Sequence, residues 1–256
     1  MNDSPLKVWL DRDGTLLRLR LVRPKANIVD TAMIAALDTA LAEYRDSKEL
    51  RAVLLDHEGP HFSFGASVEE HLPGSCDDML KALHGLVRSM LKFPLPLLVA
   101  IKGQCLGGGL EVAAAGSMLF AAPDAKLGQP EIKLAVFAPA ASCLLPERIG
   151  QAKAEDLLLS GRSVGAEEAL SSGLVDRVNE DPEAGALVYF DKHLASNSAS
   201  TLRFAVLAAR DEYRQRVIAK LERVETLYLS QLMETHDAVE GLTAFIEKRQ
   251  AKWENR

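Results

Sequence analysis

The chain has 256 residues and a formal net charge of −6, with 48% hydrophobic and 26% charged residues. This length suffices for one large domain or two small ones with an ample core. The charge balance argues against a nucleic-acid surface, which requires a basic stripe. Three distant cysteines without a CxxC pair predict neither a disulfide framework nor a zinc site, and they fit a reducing, cytoplasmic compartment.

The sequence predicts neither a signal peptide nor a membrane-spanning segment. The first ten residues, MNDSPLKVWL, lack a basic region followed by a long apolar stretch, so no signal peptide is expected. The longest apolar run, PLPLLVAI (94–101), is too short to span a bilayer. We therefore expect no membrane partner.

The first half of the chain alternates between strand and helix patterns. KVWL and TLLRLRL predict a hairpin around DRDG, and Asp30 is a candidate N-cap for the next helix. Further strands are predicted at RAVLLD, LLVAIKG and SMLFAAP, with a helix at about 75–92 and another that begins near Gly108. After Pro139 the patterns predict helices at roughly 139–149, 151–160, 166–172, 183–196, 200–234 and 236–253. The chain is thus predicted to have an α/β core followed by a packed helical region.

The stretch GQCLGGGLEVAAAG (103–116) has three interpretations. A dinucleotide fingerprint is weakly supported, because the third small position is occupied by Val112. Close packing of the helix start against a neighbour would also require glycines. The third interpretation is an oxyanion site, since a helix N-terminus presents free N–H groups that glycine leaves accessible. Glu111 would then lie one turn into that helix, facing the same spot.

Two further stretches contain candidate groups. In AKLGQPEIKLA (125–135), Glu131 is either a solvated loop residue or a second acid that holds a water molecule together with Glu111. In HFSFGASVEEH (61–71), a Gly-Ala turn offers another free backbone N–H. His57, His61 and His71 lie near acids, but their spacing matches no closed zinc pattern, and no metal is expected.

The remaining motifs have structural interpretations. GRSVG (161–165) satisfies G-x-S-x-G, but a predicted helix precedes it, so we interpret it as a turn between helices rather than a nucleophile elbow. The C-terminal LTAFIEKRQAKW (242–253) places apolar residues beside Lys248, Arg249 and Lys252. It is either an amphipathic docking helix or a basic patch for a phosphate-bearing ligand, or both.

Taken together, the segments FSFGASVEE, IKGQCLGGGLEVAAAG, AKLGQPEI, SGRSVGAEEALSSGLVDRV and GLTAFIEKRQAKW resemble the crotonase (enoyl-CoA hydratase/isomerase) superfamily in order and spacing. The resemblance implies an α/β crotonase-like ββα superhelix (spiral) core over residues 1–195. It implies a C-terminal helical trimerisation and CoA-capping region over 196–256. It also implies an acyl-CoA thioester ligand, no separate cofactor, and a homo-oligomer that is a trimer or a hexamer (dimer of trimers).

The same resemblance assigns roles to individual positions. Ala66 and Gly108 correspond to the oxyanion-hole amides, and Glu111 and Glu131 to the two hydratase glutamates. Positions expected to bind the substrate are Gly65, Ser67, Val68, Gly107, Phe137, Ser142, Phe245 and Lys248, with the last two meeting the CoA of a neighbouring subunit.

The segment KLAVFAPAASCLL (133–145) departs from ordinary members, which have glycines where this chain has alanines. It resembles the hydratases of the superfamily that act on cyclohexa-1,5-diene-1-carbonyl-CoA, which implies a cyclic acyl group. A straight-chain enoyl-CoA hydratase is the alternative. A non-catalytic or RNA-binding member is a third possibility, which the intact acid pair and the acidic charge balance disfavour.

Overall fold

A computed structural model describes residues 4–256 of the chain. Its larger sheet has six strands in the order β1-β2-β3-β4-β6-β9. The hairpin of β1 and β2 is antiparallel, with Leu6 opposite Leu21, and the other pairs of neighbouring strands are parallel. The strands are β1 Leu6–Asp11, β2 Leu16–Leu21, β3 Ala52–His57, β4 Leu97–Ile101, β6 Met118–Ala121 and β9 Arg177–Val178.

A smaller sheet and the helices complete the fold. The small sheet contains β5 Gln104–Leu106, β7 Lys126–Gly128 and β8 Ser163–Gly165. The helices are α1 Thr31–Tyr44, α2 Cys76–Leu91, α3 Gly108–Ala114, α4 Pro139–Ile149, α5 Gln151–Ser160, α6 Ala166–Ser172, α7 Pro182–His193, α8 Ala199–Ser230 and α9 His236–Ile246. Short 3₁₀ turns cover Glu69–His71, Pro130–Leu134 and Leu232–Glu234.

Both faces of the large sheet are covered by helices. Successive side chains of a strand point to opposite faces, so each strand contributes to two separate clusters. On one face, Leu17, Leu19 and Val53 join the main core with helices α1 to α4. On the other face, Leu16 and Leu54 pack with Phe190 of α7. This double burial explains why the strands are almost continuously apolar rather than alternating with polar residues.

The chain forms a spiral in which successive turns add a strand to each sheet. β4 is followed by β5 and then α3, and β6 is followed by β7 and then the 3₁₀ turn Pro130–Leu134. β5 pairs with β7 in parallel, and isolated parallel bridges join Val29 to Ala66 and Ser63 to Cys105. The predicted ββα superhelix is therefore the fold of this chain.

Most predicted elements are confirmed, including the hairpin, α1 with its Asp30 cap, and α3 starting at Gly108. Two predictions were wrong in detail. The last helix ends at Ile246 rather than 253, with Lys248 at a φ of 54° just beyond it. GRSVG follows helix α5 as predicted, but Ser163–Gly165 is a short strand rather than a plain turn. Glu131 lies in a 3₁₀ turn that begins at Pro130.

The helical second half packs closely on the core. α7 lies against the large sheet, and α8 lies against α2 and α4. The boundary between residues 195 and 196 remains a prediction. Among the helices of residues 4–256, none combines the length and apolar character needed to cross a membrane.

A buried ion cluster joins the large sheet to α7. Arg18 of β2 contacts Asp56 of β3 and Glu183 of α7, and Arg20 donates to the same two carboxylates. Asp56 is 1% exposed and Arg18 is 3% exposed. Breaking a buried pair leaves an uncompensated charge, which costs far more than losing a surface pair.

We therefore expect Asp56→Asn to lower the free energy of unfolding by about 1.5–3 kcal/mol, because Arg18 and Arg20 lose the charge of their shared buried partner but keep their contacts with Glu183. Glu58→Gln is the matched control. It removes the exposed ion pair with Lys7, which has an N–O distance of 3.2 Å, and should cost less than about 1 kcal/mol. Urea denaturation of both variants measures the difference, and equal losses would contradict the prediction.

Candidate active site

The register of the small sheet brings Ala66 and Gly108 together. Ser63 bridges to Cys105, and continuing this pairing toward the carboxyl end places Ala66 beside Gly108. The coordinates agree, because a Cβ built on Gly108 would lie 3.0 Å from the Ala66 amide nitrogen. A side chain at position 108 would therefore crowd the space between the two backbones, and glycine keeps it open.

The amides of Ala66 and Gly108 are free to bind a ligand. Gly108 is the first residue of α3, so its N–H has no partner within the helix. Neither amide donates to another backbone group among residues 4–256. Two unpaired N–H groups on adjacent backbones form a site for an oxygen that carries negative charge.

Glu131 lies directly over the start of α3. A Cβ on Gly107 would stand 2.6 Å from the Glu131 Oε1, and Gly107 has a φ of 50°, which favours glycine. The pairing of Leu106 with Gly128 sets this arrangement, because the residues that follow each strand leave the sheet side by side. The second acid is thus held next to the pair of free amides.

Glu111 lies one turn into α3 and is 3% exposed. Its Oε1 accepts a 2.8 Å hydrogen bond from the Ala141 amide, near the N-terminus of α4. The alanine-rich segment that was expected to line the acyl group therefore has a further task. Its first helical amides hold the carboxyl group of Glu111, as a helix N-terminus does for an anion.

The surroundings raise the pKa of both acids. Burial raises the pKa of Glu111, while the amides of Ala141 and Ala140 act in the opposite direction. Burial also raises the pKa of Glu131, and the nearby charge of Glu111 raises it further. Because two carboxylates that share one cavity repel each other, the pair retains a proton at higher pH than isolated glutamates would.

Gln129 is a site residue that the sequence analysis missed. It is 1% exposed, and with its side-chain amide turned so that the nitrogen faces Glu131, that nitrogen lies 3.1 Å from both carboxylate oxygens, where it can donate to them. In this orientation the amide aligns the Glu131 side chain. The sequence signal was present in the GQPE stretch, but the parallel register is needed to see that Gln129 faces inward.

A cavity of 330 Å³ connects these groups. Its polar end is formed by Ala66, Gly108, Glu111 and Glu131, and the rest of its wall is mostly apolar. The other lining residues are Phe64, Gly65, Val68, His71, Leu80, Leu83, Gly107, Pro130, Lys133, Leu134, Val136, Phe137, Ala138, Pro139, Leu242 and Phe245. A larger depression of 480 Å³ beside α7 contains neither acid.

Five of the eight predicted substrate-binding residues line the cavity: Gly65, Val68, Gly107, Phe137 and Phe245. Ser67 does not; it borders a separate open groove with Arg23 and Lys25. Lys248 is also absent from the cavity wall, because it follows the end of α9.

Ser142 is a correction to the predicted acyl pocket. Its hydroxyl donates at 2.7 Å to the Ala138 carbonyl within α4, so the side chain bonds its own helix rather than the cavity. Cys143 is likewise buried and does not line the cavity.

The three histidines that lie near acids in the sequence, His57, His61 and His71, each contact a backbone group through a ring nitrogen. His57 Nε2 accepts from the Lys102 amide at 3.1 Å, and His61 Nδ1 accepts from the Gln104 amide at 3.2 Å. His71 Nδ1 lies 2.6 Å from the Ser67 carbonyl oxygen. In the part of the chain that the structure describes, no group of three or more potential metal ligands comes together.

The raised pKa of Glu111 predicts a pH-dependent cost in stability. The unfolded state ionises near the ordinary value of 4.5, whereas the folded state holds its proton to higher pH, so stability falls as pH rises between the two pKa values. Glu111→Gln should be more stable than the wild type at about pH 8.5, on the order of a few kcal/mol, and nearly equal to it at about pH 4.5. Thermal unfolding at both pH values, with Glu212→Gln on the exposed face of α8 as the control, measures this. A constant difference across pH would contradict the prediction.

Comparison with known proteins agrees with this geometry. Residues 11–256 match the family model "Enoyl-CoA hydratase/isomerase". The chain is 69% identical over 253 residues to the cyclohexa-1,5-dienecarbonyl-CoA hydratase of Thauera aromatica, covering 99% of this chain and 98% of that one. It is 34% identical to a probable enoyl-CoA hydratase of Bacillus subtilis, covering 92% and 93%.

The fold is also found among solved structures. An enoyl-CoA hydratase/isomerase from Pseudoalteromonas atlantica superimposes with a TM-score of 0.83 at 30% identity, covering 97% of this chain and 99% of that chain. Sequence and structure thus agree over nearly the full length. The chain belongs to the enoyl-CoA hydratase/isomerase family.

Proposed function

We propose that this protein is a hydro-lyase that adds water to a cyclic conjugated dienoyl thioester, converting cyclohexa-1,5-diene-1-carbonyl-CoA into 6-hydroxycyclohex-1-ene-1-carbonyl-CoA. The observation that carries the proposal is that two acids and two unpaired amides border one cavity whose remaining wall is mostly apolar. The name of the Thauera aromatica relative, at 69% identity, supports the cyclic substrate.

In the proposed reaction, the thioester oxygen accepts hydrogen bonds from the amides of Ala66 and Gly108. Water held by the acid pair loses a proton and its oxygen bonds to the β carbon of the ring. The displaced electron pair moves through the conjugated system to the thioester oxygen and forms a dienolate. A proton then bonds to the far end of the diene, so that one water is added in total. Each oxyanion donor of this kind is worth about 10²–10³ in rate.

The surroundings of the two acids support distinct roles. Glu111 accepts hydrogen bonds from the first amides of α4, which favour its carboxylate form, so it is the base. Burial and the charge of Glu111 raise the pKa of Glu131 and favour its protonated form, although the Gln129 amide favours the carboxylate, so we assign Glu131 as the acid. Assigning one proton to the pair satisfies both roles near neutral pH.

The groove outside the cavity fits the CoA portion of the substrate. Ser67 follows the free amide of Ala66 and borders a groove whose lining includes the cationic Lys25 and an Arg23 that pairs with Asp30. Glu70 also lines this groove, so Lys25 is the cation that we expect to meet a phosphate. Phosphate groups bind such side chains favourably. No separate cofactor or metal is needed in this scheme.

We further infer a homo-oligomer, a trimer or a dimer of trimers, in the cytoplasm. Helix α8 leaves Phe204 74% exposed, and Phe245 at the cavity mouth is 55% exposed. Contact with a second copy would bury both. Three free, buried cysteines fit a reducing compartment.

The purified protein should convert the cyclic dienoyl-CoA into a product heavier by one water, measured by mass spectrometry. Glu131→Gln and Glu111→Gln should each lower kcat about 10²–10⁴-fold, because each removes a proton-transfer group while keeping its size. Glu212→Gln, a surface change on α8, serves as the control and should retain full activity.

Two outcomes would contradict the proposal. Full activity in either cavity variant would remove the assigned acid and base roles. Faster hydration of crotonyl-CoA than of the cyclic diene would favour the alternative, a straight-chain enoyl-CoA hydratase.

The pH dependence of kcat/KM should be bell-shaped, and both the acid and the alkaline limb should lie at higher pH than ordinary glutamates would give. Activity falls on the acid side as Glu111 gains a proton, and this limb should lie well above the ordinary glutamate value of 4.5 because the pKa of Glu111 is raised. It falls on the alkaline side as Glu131 loses its proton. In Glu131→Gln the alkaline limb should disappear from the residual activity, and its persistence would show that another group is the acid.

A further inference from the structure

Tyr228 of α8 is the largest fully buried side chain next to the candidate site, and it was not identified from the sequence. Its exposure is 0%, and its hydroxyl has no hydrogen-bond partner among residues 4–256. It does not line the cavity itself. Its ring lies edge-on against that of Phe137, with the centroids 5.2 Å apart and an angle of 73° between the ring planes. Phe137 does line the cavity.

The helix that carries Tyr228 is held from two sides. Lys220 Nζ donates at 2.7 Å to the Ser142 carbonyl of α4, and Glu225 Oε2 lies 2.5 Å from His84 Nδ1 of α2. Both α2 and α4 belong to the elements that shape the cavity, since α2 contributes Leu80 to its wall. Tyr228 is therefore fixed relative to the surface on which the acyl group would lie.

The electrostatic surroundings keep the phenol neutral. Burial raises the pKa of Tyr228, and Cys76, Glu131 and Glu111 raise it further. The hydroxyl is neutral and has no partner, so it makes no polar contact with the cavity residues. Tyr228 is linked to the cavity through the packing of its ring against Phe137.

We propose that Tyr228 is a positioning residue that holds Phe137 as a rigid aromatic wall and thereby makes the cavity select a flat ring over a flexible straight acyl chain. The inference rests on the proposed function. An edge-to-face pair restricts both rings, and a closely packed wall does not yield to a differently shaped ligand. When Tyr228 is shortened, Phe137 gains room to rotate. The ring of the substrate is then no longer held in one position beside Glu111 and Glu131.

The test measures kcat/KM for cyclohexa-1,5-diene-1-carbonyl-CoA and for crotonyl-CoA in Phe137→Leu, Tyr228→Leu and Tyr228→Phe, well below each melting temperature. Tyr228→Leu should lower the ratio of kcat/KM for the cyclic substrate to kcat/KM for crotonyl-CoA by about tenfold. Phe137→Leu should lower it by a similar factor, although Tyr228 does not line the cavity. Tyr228→Phe keeps the ring edge and should retain the ratio within about twofold. It should also melt a few degrees higher, because it removes a buried hydroxyl that has no partner.

Tyr228→Met has a longer, more adaptable side chain, and it replaces Tyr228→Leu if the latter does not fold. The double variant Phe137→Leu/Tyr228→Leu should show the ratio of Phe137→Leu alone, because no aromatic wall remains to be held. An unchanged ratio in Tyr228→Leu or Tyr228→Met would overturn the proposal, as would equal effects of Tyr228→Phe and Tyr228→Leu. Hydration of the cyclic diene by the wild type tests the proposed function, and the change of ratio relative to the wild type tests the role of Tyr228, so the two can fail separately.

Discussion

The parallel register of the small sheet is the constraint on which the candidate site depends. Backbone pairing of Ser63 with Cys105, and of Leu106 with Gly128, places three separate turns of the spiral side by side. The residues that follow these strands supply the two free amides and Glu131. A slip of one residue would reverse the direction of every side chain and separate these groups. Glycine suits position 107 because its φ is 50°, and it suits position 108 because a Cβ there would crowd Ala66 at 3.0 Å.

The two acids show how identical side chains acquire different properties from their positions in the fold. Glu111 is buried on α3, but the N-terminus of α4 faces it and favours its charged form. Glu131 is aligned by Gln129 and lies within reach of the charge of Glu111. Placing both in one mostly apolar cavity costs stability at neutral pH, and it raises the pKa of both side chains, as the proposed acid and base roles require. Proteins commonly depart from the most stable arrangement at functional sites in this way.

Local patterns were sufficient to predict the features that depend on neighbours in sequence. The Asp30 cap, the start of α3 at the glycines and the position of Glu111 one turn later all follow from short-range rules. The inward orientation of Gln129 and the packing of Tyr228 on Phe137 join residues that are distant in the chain, so periodicity could not reveal them. The C-terminal tail has an amphipathic pattern but is not helical. Glu240 of α9 accepts hydrogen bonds from the Arg249 side chain and the Lys252 amide, so the tail folds back along the helix. Ser142 was expected in the pocket because its segment lines the acyl group in relatives, yet its hydroxyl donates to the carbonyl of Ala138, the N-cap of α4.

The cavity divides its tasks between two kinds of structure. Its polar end is built from backbone amides and acids whose positions are set by strand pairing, which tolerates little adjustment. Its apolar wall comes from side chains on α2, α9 and the segment that leads into α4, where substitutions change shape without disturbing the sheet. The chemistry of water addition is therefore tied to the spiral, whereas the fit of the acyl group is tied to side chains such as Phe137. Because α8 packs behind that wall through Tyr228, selectivity for the acyl group also depends on a helix that never reaches the cavity.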